Sequence, residues 1–184
     1  MRKLYLSIMT TLDGFAAGPD GKLDWIMVED PEMAELMAEQ LRGIDAMIFG
    51  HTAYRDLAGY WMDGPTEKPV DREHTRLMNS ITKLVLSRGE PELHWQPARR
   101  IGADLAAEIA ELKSAPGKDI AVFAGPETAR ALASFVDEYR LLVYPVLLGA
   151  GRPVFRPAPE ALEFLDSREF SASGVVQLRY RPVR

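Results

Sequence analysis

The hydrophobic positions of the chain form short apolar runs that alternate with segments whose apolar residues recur at helical spacing. This alternation predicts an α/β fold with a mixed sheet, parallel in its early strands and antiparallel at its C-terminal end. In Val175–Tyr180, apolar residues alternate with Gln177 and Arg179, which is typical of a half-buried antiparallel strand. The predicted strands are Leu4–Met9, Ala46–Phe49, Leu84–Ser87, Ile120–Phe123, Leu141–Leu148, Glu163–Phe170 and Val175–Tyr180.

Helix boundaries are marked by capping residues, prolines and glycines. Asp30 is a predicted N-cap, Pro31 occupies the first helical position, and Glu32 places an acidic group in the first turn. Gly43 ends this helix. The helices predicted in this way run from Pro31 to about Arg42, over Asp71–Asn79, over Ala103–Lys113, and from Pro126 to near Phe135.

Two long segments, Thr11–Trp25 and Tyr60–Val70, lack regular periodicity and are rich in turn residues. Long irregular segments in a compact domain are usually functional lids or disordered. The apolar segment Leu141–Leu148 contains Pro145, which predicts an edge strand or a bulge there.

Composition narrows the class of protein. The 184 residues suit one domain spanning 1–184, and the net charge of -5 disfavours a nucleic-acid partner. No apolar run approaches the ~20 residues of a membrane span, and the N-terminus has no signal-peptide cleavage pattern. The absence of cysteine excludes disulfides and zinc–thiolate sites. We therefore expect a cytoplasmic protein with no membrane partner and no metal site.

Phe49-Gly50-His51-Thr52 is a strand end followed at once by a helix start. The unpaired N–H groups of a helix start favour a phosphate, and glycine allows a ligand to approach the backbone. The alternative is an ordinary helix start with Thr52 near its cap.

A second strand end, Ile120–Phe123, leads through Ala124-Gly125-Pro126-Glu127-Thr128 into a helix. Two such helix starts on one sheet are suited to the two ends of a dinucleotide. The alternative is a plain strand-to-helix turn, and Glu127 would repel a phosphate placed close to it.

Two further strand ends carry charged side chains. Arg88 follows Ser87 and could contact a 2′-phosphate in a bidentate way, which would select NADPH over NADH; the alternative is a solvated surface arginine. Asp13, just after the first strand, could orient a substrate or relay a proton; the alternative is a turn aspartate. Gly149-Ala150-Gly151 is not a Rossmann fingerprint, because its third glycine is missing and prolines follow.

Together these motifs resemble the dihydrofolate-reductase-like superfamily, and most closely the reductase domain of the bifunctional riboflavin-biosynthesis deaminase/reductase and its single-domain relatives. The resemblance covers nearly the whole chain. The residues that carry it are Ser7–Gly14, Gly50–Tyr54, Tyr60-Trp61, Asn79–Arg88, Leu112-Lys113, Gly117–Ile120, Gly125, Asp137–Leu141, Pro145–Phe155 and Gly174–Tyr180.

The resemblance implies a three-layer α/β/α sandwich, a homodimer, and an NADPH site beside a substrate pocket under the loop that holds Asp13. The residues implied for NADPH are Gly50, His51, Thr52, Ser87, Arg88, Ala124, Gly125, Pro126, Glu127 and Thr128. Many relatives have two glycines where this chain has Ala124-Gly125. Dihydrofolate reductases also carry a carboxylate on the first helix at a spacing that falls near Ala34 here, and neither Glu35 nor Glu39 matches it.

The predicted activity is hydride transfer from NADPH to a pterin- or ribosylaminopyrimidine-like heterocycle, with Asp13 catalytic. We expect Trp25, Tyr60 and Trp61, in or near the two long loops, to stack on the substrate ring. For Tyr60 and Trp61 the alternative is that they anchor their loop on the core. Two other functions remain open: reduction of a different small molecule, and a non-catalytic nucleotide-binding module that keeps only the fold.

Overall fold

The computed structural model describes residues 1–155 and 159–183. Within these residues the strands are β1 (Leu4–Thr11), β2 (Phe15–Ala17), β3 (Ile44–Gly50), β4 (Thr82–Leu86), β5 (Ala98–Ile101), β6 (Asp119–Val122), β7 (Glu138–Tyr144), β8 (Arg152–Pro153), β9 (Leu162–Glu169) and β10 (Val176–Pro182). The helices are α1 (Pro31–Arg42), α2 (His51–Trp61), α3 (Pro69–Ser80), α4 (Leu105–Ser114) and α5 (Pro126–Leu132). Short 3-10 turns cover Asp24–Ile26 and Ala133–Phe135.

Eight of the strands form one sheet in the order β5-β4-β3-β6-β1-β7-β10-β9. The six neighbours from β5 to β7 are parallel, and β10 runs antiparallel to both β7 and β9. The predicted mixed sheet with an antiparallel C-terminal end is therefore confirmed. β2 and β8 pair separately as a short antiparallel ribbon.

Helices cover both faces of the sheet, because its strands are apolar on both sides. Along β1, Leu4 and Leu6 pack in one cluster with Ile109 of α4 and Leu132 of α5. Tyr5 points to the other face, into a cluster that contains residues of α1, α2 and α3. The three-layer sandwich is confirmed. None of the helices in the described residues combines the length and the apolar content needed to cross a membrane.

One predicted strand was wrong in its end and its place in the sheet, and one strand of the sheet was not predicted. The strand predicted at Leu141–Leu148 ends at Tyr144, and it is an interior strand between β1 and β10, so Pro145 marks its end instead of a sheet edge. The sequence reading also missed β5, since Arg99 and Arg100 interrupt its apolar pattern. β5 pairs on one side only, which is why the sheet tolerates charged residues there.

Candidate active site

The predicted functional segments meet along one edge of the sheet, because neighbouring parallel strands end there. Five neighbouring strands of the sheet are parallel, so their carboxyl ends lie at the same end of the sheet. In spatial order they are β4, β3, β6, β1 and β7. In open α/β sheets, ligands bind outside the carboxyl ends of the strands. The segments that follow these strands therefore form the candidate site.

The start of α2 and the start of α5 are in direct contact. α2 begins at His51, directly after Gly50, and no side chain caps its first N–H groups. A Cβ atom at Gly50 would lie 2.4 Å from the Thr128 Oγ1 atom, so only glycine fits there without a shift. His51 and Thr52 are exposed. The structure thus brings the first two predicted cofactor motifs together.

The turn before α5 is open at its glycine. A Cβ at Gly125 would meet no atom within 4 Å. Ala124 is half-buried and packs against the core cluster shared with α4 and α5, so its methyl group contacts the core. Pro126 starts the helix, and Glu127 is exposed in its first turn. The space beside Gly125 is therefore available to a ligand.

Ser87 and Arg88 follow β4, next to the strand that ends in Gly50. Ser87 is half-buried and Arg88 is exposed. The Ser87 N–H donates to the Ile101 carbonyl at 3.2 Å. Arg100 donates to the Ser87 carbonyl at 3.1 Å and to the Arg88 carbonyl at 3.2 Å. Sequence reasoning missed Arg100, because the strand that carries it was not predicted.

The Asp13 carboxylate joins the end of β1 to a distant loop. It accepts hydrogen bonds from Thr11 Oγ1 at 2.6 Å, from the Gly149 N–H at 2.7 Å and from the Leu148 N–H at 3.1 Å. The bond from Thr11, with those from the two backbone groups, lowers the pKa of Asp13. Its side chain is therefore ionised at neutral pH, which favours substrate orientation over proton donation.

Trp25 lies at the same edge, in the 3-10 turn Asp24–Ile26. Its ring packs edge-on against Tyr144, with centroids 5.2 Å apart. Tyr144 is the last residue of β7 and pairs in register with Thr11 at the end of β1. The Trp25 Nε1 atom is buried and has no hydrogen-bond partner among the described residues. A polar ligand could satisfy this donor.

Tyr60 and Trp61 are not in a loop, as the sequence analysis predicted, but form the last turn of α2. At 1.5 Å per residue they lie about 15 Å along the helix from Gly50. Trp61 is half-buried against the core, and its carbonyl accepts from Asn79 Nδ2 at 2.8 Å. The two rings pack edge-on at 4.9 Å. The structure supports the anchoring alternative for Trp61 and does not bring either ring to the edge occupied by Asp13.

The carboxylates of α1 have structural partners. Asp30 caps the helix, as predicted, accepting from the N–H groups of Glu32 and Met33, and it also accepts from the Ser173 N–H. Burial raises the pKa of Asp30, but these hydrogen bonds outweigh it and lower the pKa overall. Glu35 is exposed and pairs with Arg42 at 2.7 Å. None of these groups supplies a free carboxylate on α1.

The fold is that of a dihydrofolate-reductase-like domain. The structure resembles dihydrofolate reductase from Enterococcus faecalis complexed with NADP(H), with a TM-score of 0.65 and 13% identity, covering 99% of this chain and 97% of that one. The chain belongs to the RibD C-terminal domain family, whose model matches residues 2–176.

Two further similar proteins are consistent with the assignment to this family. The uncharacterized protein YyaP of Bacillus subtilis is 34% identical over 97% of this chain and 94% of its own length. The diaminohydroxyphosphoribosylaminopyrimidine deaminase/5-amino-6-(5-phosphoribosylamino)uracil reductase of Thermotoga maritima has a TM-score of 0.69 and 15% identity, over 99% of this chain and 57% of that one. The family model and the relative YyaP thus establish the family of this chain.

Proposed function

We propose that this protein is an NADPH-dependent reductase of a planar, hydrogen-bonding heterocycle such as a pterin or a ribosylaminopyrimidine. The observation that carries the proposal is the contact between Gly50 and Thr128, which joins two helix starts at the carboxyl edge of the sheet. The names of the solved relatives, a uracil reductase and a dihydrofolate reductase complexed with NADP(H), support the same class.

The residues present fit NADPH. The uncapped start of α2 offers N–H groups that can bind a phosphate, directly after Gly50 and close to Thr128 at the start of α5. Open space beside Gly125 allows the cofactor to pass the second helix start. Arg88 is exposed and suited to a 2′-phosphate. Bound NADPH would supply a hydride to a C=N or C=O carbon, and a proton would be added to the nitrogen or oxygen.

On the substrate side, Asp13 and Trp25 contribute orientation. A carboxylate has about four acceptor positions, and three donors already contact Asp13. The remaining position can accept a ring N–H. The Trp25 Nε1 donor lacks a partner and can bind a ring oxygen or nitrogen. Asp13 is ionised, so we assign the proton to solvent.

We predict that Arg88→Ala weakens NADPH binding by roughly ten- to a hundredfold, because a charge-assisted contact contributes ~1.5–3 kcal/mol. NADH lacks the 2′-phosphate, so its affinity should hardly change. Fluorescence titration of both cofactors measures the ratio. Equal weakening of NADPH and NADH would remove Arg88 from the 2′-phosphate site.

Asp13→Asn should lower kcat while leaving the Kd for NADPH within about twofold. The amide replaces one acceptor oxygen by a donor, which faces the N–H groups of Leu148 and Gly149. Asp20→Asn is the matched control, since Asp20 is also exposed and accepts from a loop N–H, that of Lys22. A wild-type kcat for Asp13→Asn on the true substrate would contradict the assignment.

An NADPH-oxidation assay tests the function itself. It compares dihydrofolate, a dihydropterin and the phosphoribosylamino-pyrimidine intermediate of riboflavin synthesis. We expect turnover of one of the last two. A kcat/KM above about 10⁴ M⁻¹s⁻¹ for dihydrofolate would contradict our substrate class. Tight NADPH binding without turnover of any of the three would favour another substrate or the non-catalytic module.

We also propose a homodimer. The apolar segment Leu141–Leu148, which with its Pro145 is one reason to expect a dimer, begins in β7, and β7 has no free strand edge because it pairs with β1 and β10. The edge strand β9 instead exposes Leu162 and Phe164. Light scattering at micromolar concentration should give twice the chain mass of 20.5 kDa. A mass near 20.5 kDa would exclude a stable dimer.

A further inference from the structure

Arg100 holds the backbone of the segment that carries Arg88. Its Nε donates to the Ser87 carbonyl and its Nη2 to the Arg88 carbonyl, while Nη1 pairs with Glu90 at 3.1 Å. The Arg100 side chain is about one quarter exposed, at 26%, whereas that of Glu90 is 88% exposed. The ion pair is therefore screened by solvent, and the two carbonyl contacts are the ones that fix geometry.

The end of β5 supports the same segment from its backbone. The Ser87 N–H donates to the Ile101 carbonyl, and a Cβ at Gly102 would lie 2.8 Å from the Leu86 side chain. Gly102 also has a φ of +115°, which disfavours any other residue there. The N–H and carbonyl groups of the Ser87–Arg88 segment are thus held by consecutive residues at the end of the edge strand β5.

We propose that Arg100 is a positioning residue that sets the preference for NADPH over NADH by holding the Ser87–Arg88 backbone. Each of the three guanidinium nitrogens of Arg100 donates to an acceptor in the segment Ser87–Glu90, so we assign Arg100 a role through Arg88. A fixed backbone lowers the number of Arg88 side-chain positions that must be ordered when a phosphate binds. This inference rests on the proposed role of Arg88.

The test measures Kd for NADPH and for NADH in four variants. Arg100→Gln should weaken NADPH about tenfold and NADH less than twofold. Arg99→Gln is the matched control: it removes the same charge from the neighbouring, exposed position, and should change the ratio of the two affinities by less than twofold. The double variant Arg88→Ala/Arg100→Gln should bind NADPH no more weakly than Arg88→Ala alone.

The outcomes separate the two proposals. If Arg88→Ala leaves the NADPH:NADH ratio unchanged, the cofactor role proposed for Arg88 fails, whatever Arg100 does. If Arg88→Ala changes the ratio and Arg100→Gln does not, only the positioning role is overturned. An Arg100→Gln variant that loses thermal stability and weakens both cofactors equally shows a purely structural role and also overturns it. Additive losses in the double variant would make Arg100 an independent ligand.

Discussion

Gly50→Ala is expected to destabilise the protein by about 1–3 kcal/mol and to weaken NADPH binding by roughly ten- to a hundredfold. The backbone of Gly50 has φ -74° and ψ 157°, which alanine adopts readily. The cost is therefore steric. The new methyl group would lie 2.4 Å from Thr128 Oγ1, so the Thr128 side chain has to leave its position or one of the two helix starts has to shift, at the point where we place the cofactor.

A second substitution should rescue this variant. With the Oγ1 atom removed, the nearest atom to the new methyl group is Thr128 Cβ at 3.6 Å, an ordinary contact. We therefore expect Gly50→Ala/Thr128→Ala to recover most of the stability and affinity. Gly50→Ala/Thr128→Val should not recover, because valine keeps an atom in the Oγ1 position. Urea denaturation and NADPH titration measure both quantities, and equal behaviour of the two double variants would refute the steric account.

Lys83 should make the protein more stable as the pH rises above neutrality. The Lys83 side chain is fully buried near the start of β4. Its Nζ atom donates to the Asn79 carbonyl at 2.8 Å. The ammonium also lies 4.6 Å from the centroid of the Trp95 ring. No carboxylate pairs with Lys83 among the described residues. Burial lowers its pKa from 10.5 to about 8.

The direction of the pH effect follows from proton binding. Below pH 8, Lys83 is protonated in the folded and the unfolded states, and the folded state carries the full cost of the buried charge. Between about 8 and 10.5 the folded state loses the proton while the unfolded state retains it, so the free energy of unfolding increases. The whole shift corresponds to about 3 kcal/mol, of which about 2 kcal/mol should appear between pH 7.5 and 9.5.

Urea denaturation across this pH range tests the prediction. Lys83→Met should remove the increase, whereas Lys22→Met, at a largely exposed side chain, should keep it. Measurements should stop near pH 9.5, because burial raises the pKa of Tyr5 and Tyr144 to about 12. Those tyrosines ionise first in the unfolded chain and lower the stability at higher pH. A slope that persists in Lys83→Met would assign the effect to other groups.

Local patterns predicted the features that depend on neighbouring residues. Interior parallel strands such as Ile44–Gly50 are apolar on both faces, so they are recognisable as runs, and Asp30 is recognisable as a cap from three consecutive residues. β5 was missed because an edge strand does not need an apolar pattern. The turn residues of the segment Tyr60–Val70 predict a loop that includes Tyr60 and Trp61, yet α2 continues through both residues.

Long-range contacts in the candidate site were not predictable in this way. Asp13 was recognised as a charged residue at a strand end, but its partners Leu148 and Gly149 are more than a hundred residues away. Gly50 and Thr128 are likewise far apart in the sequence, so their contact was not predictable from local patterns. The sequence indicated which strand ends hold candidate site residues, and only the strand order showed that these strand ends lie together at one end of the sheet.

The position of β1 has a consequence for how the chain is synthesised and folded. β1 pairs with β6 on one side and β7 on the other, so Leu4 lies opposite Ile120 and Thr11 opposite Tyr144. β1 therefore leaves the ribosome before either of its sheet partners and stays unpaired until β6 has emerged. Contacts of such sequence separation slow folding, and a nascent chain that stops before Tyr144 leaves an apolar strand open to association with other chains.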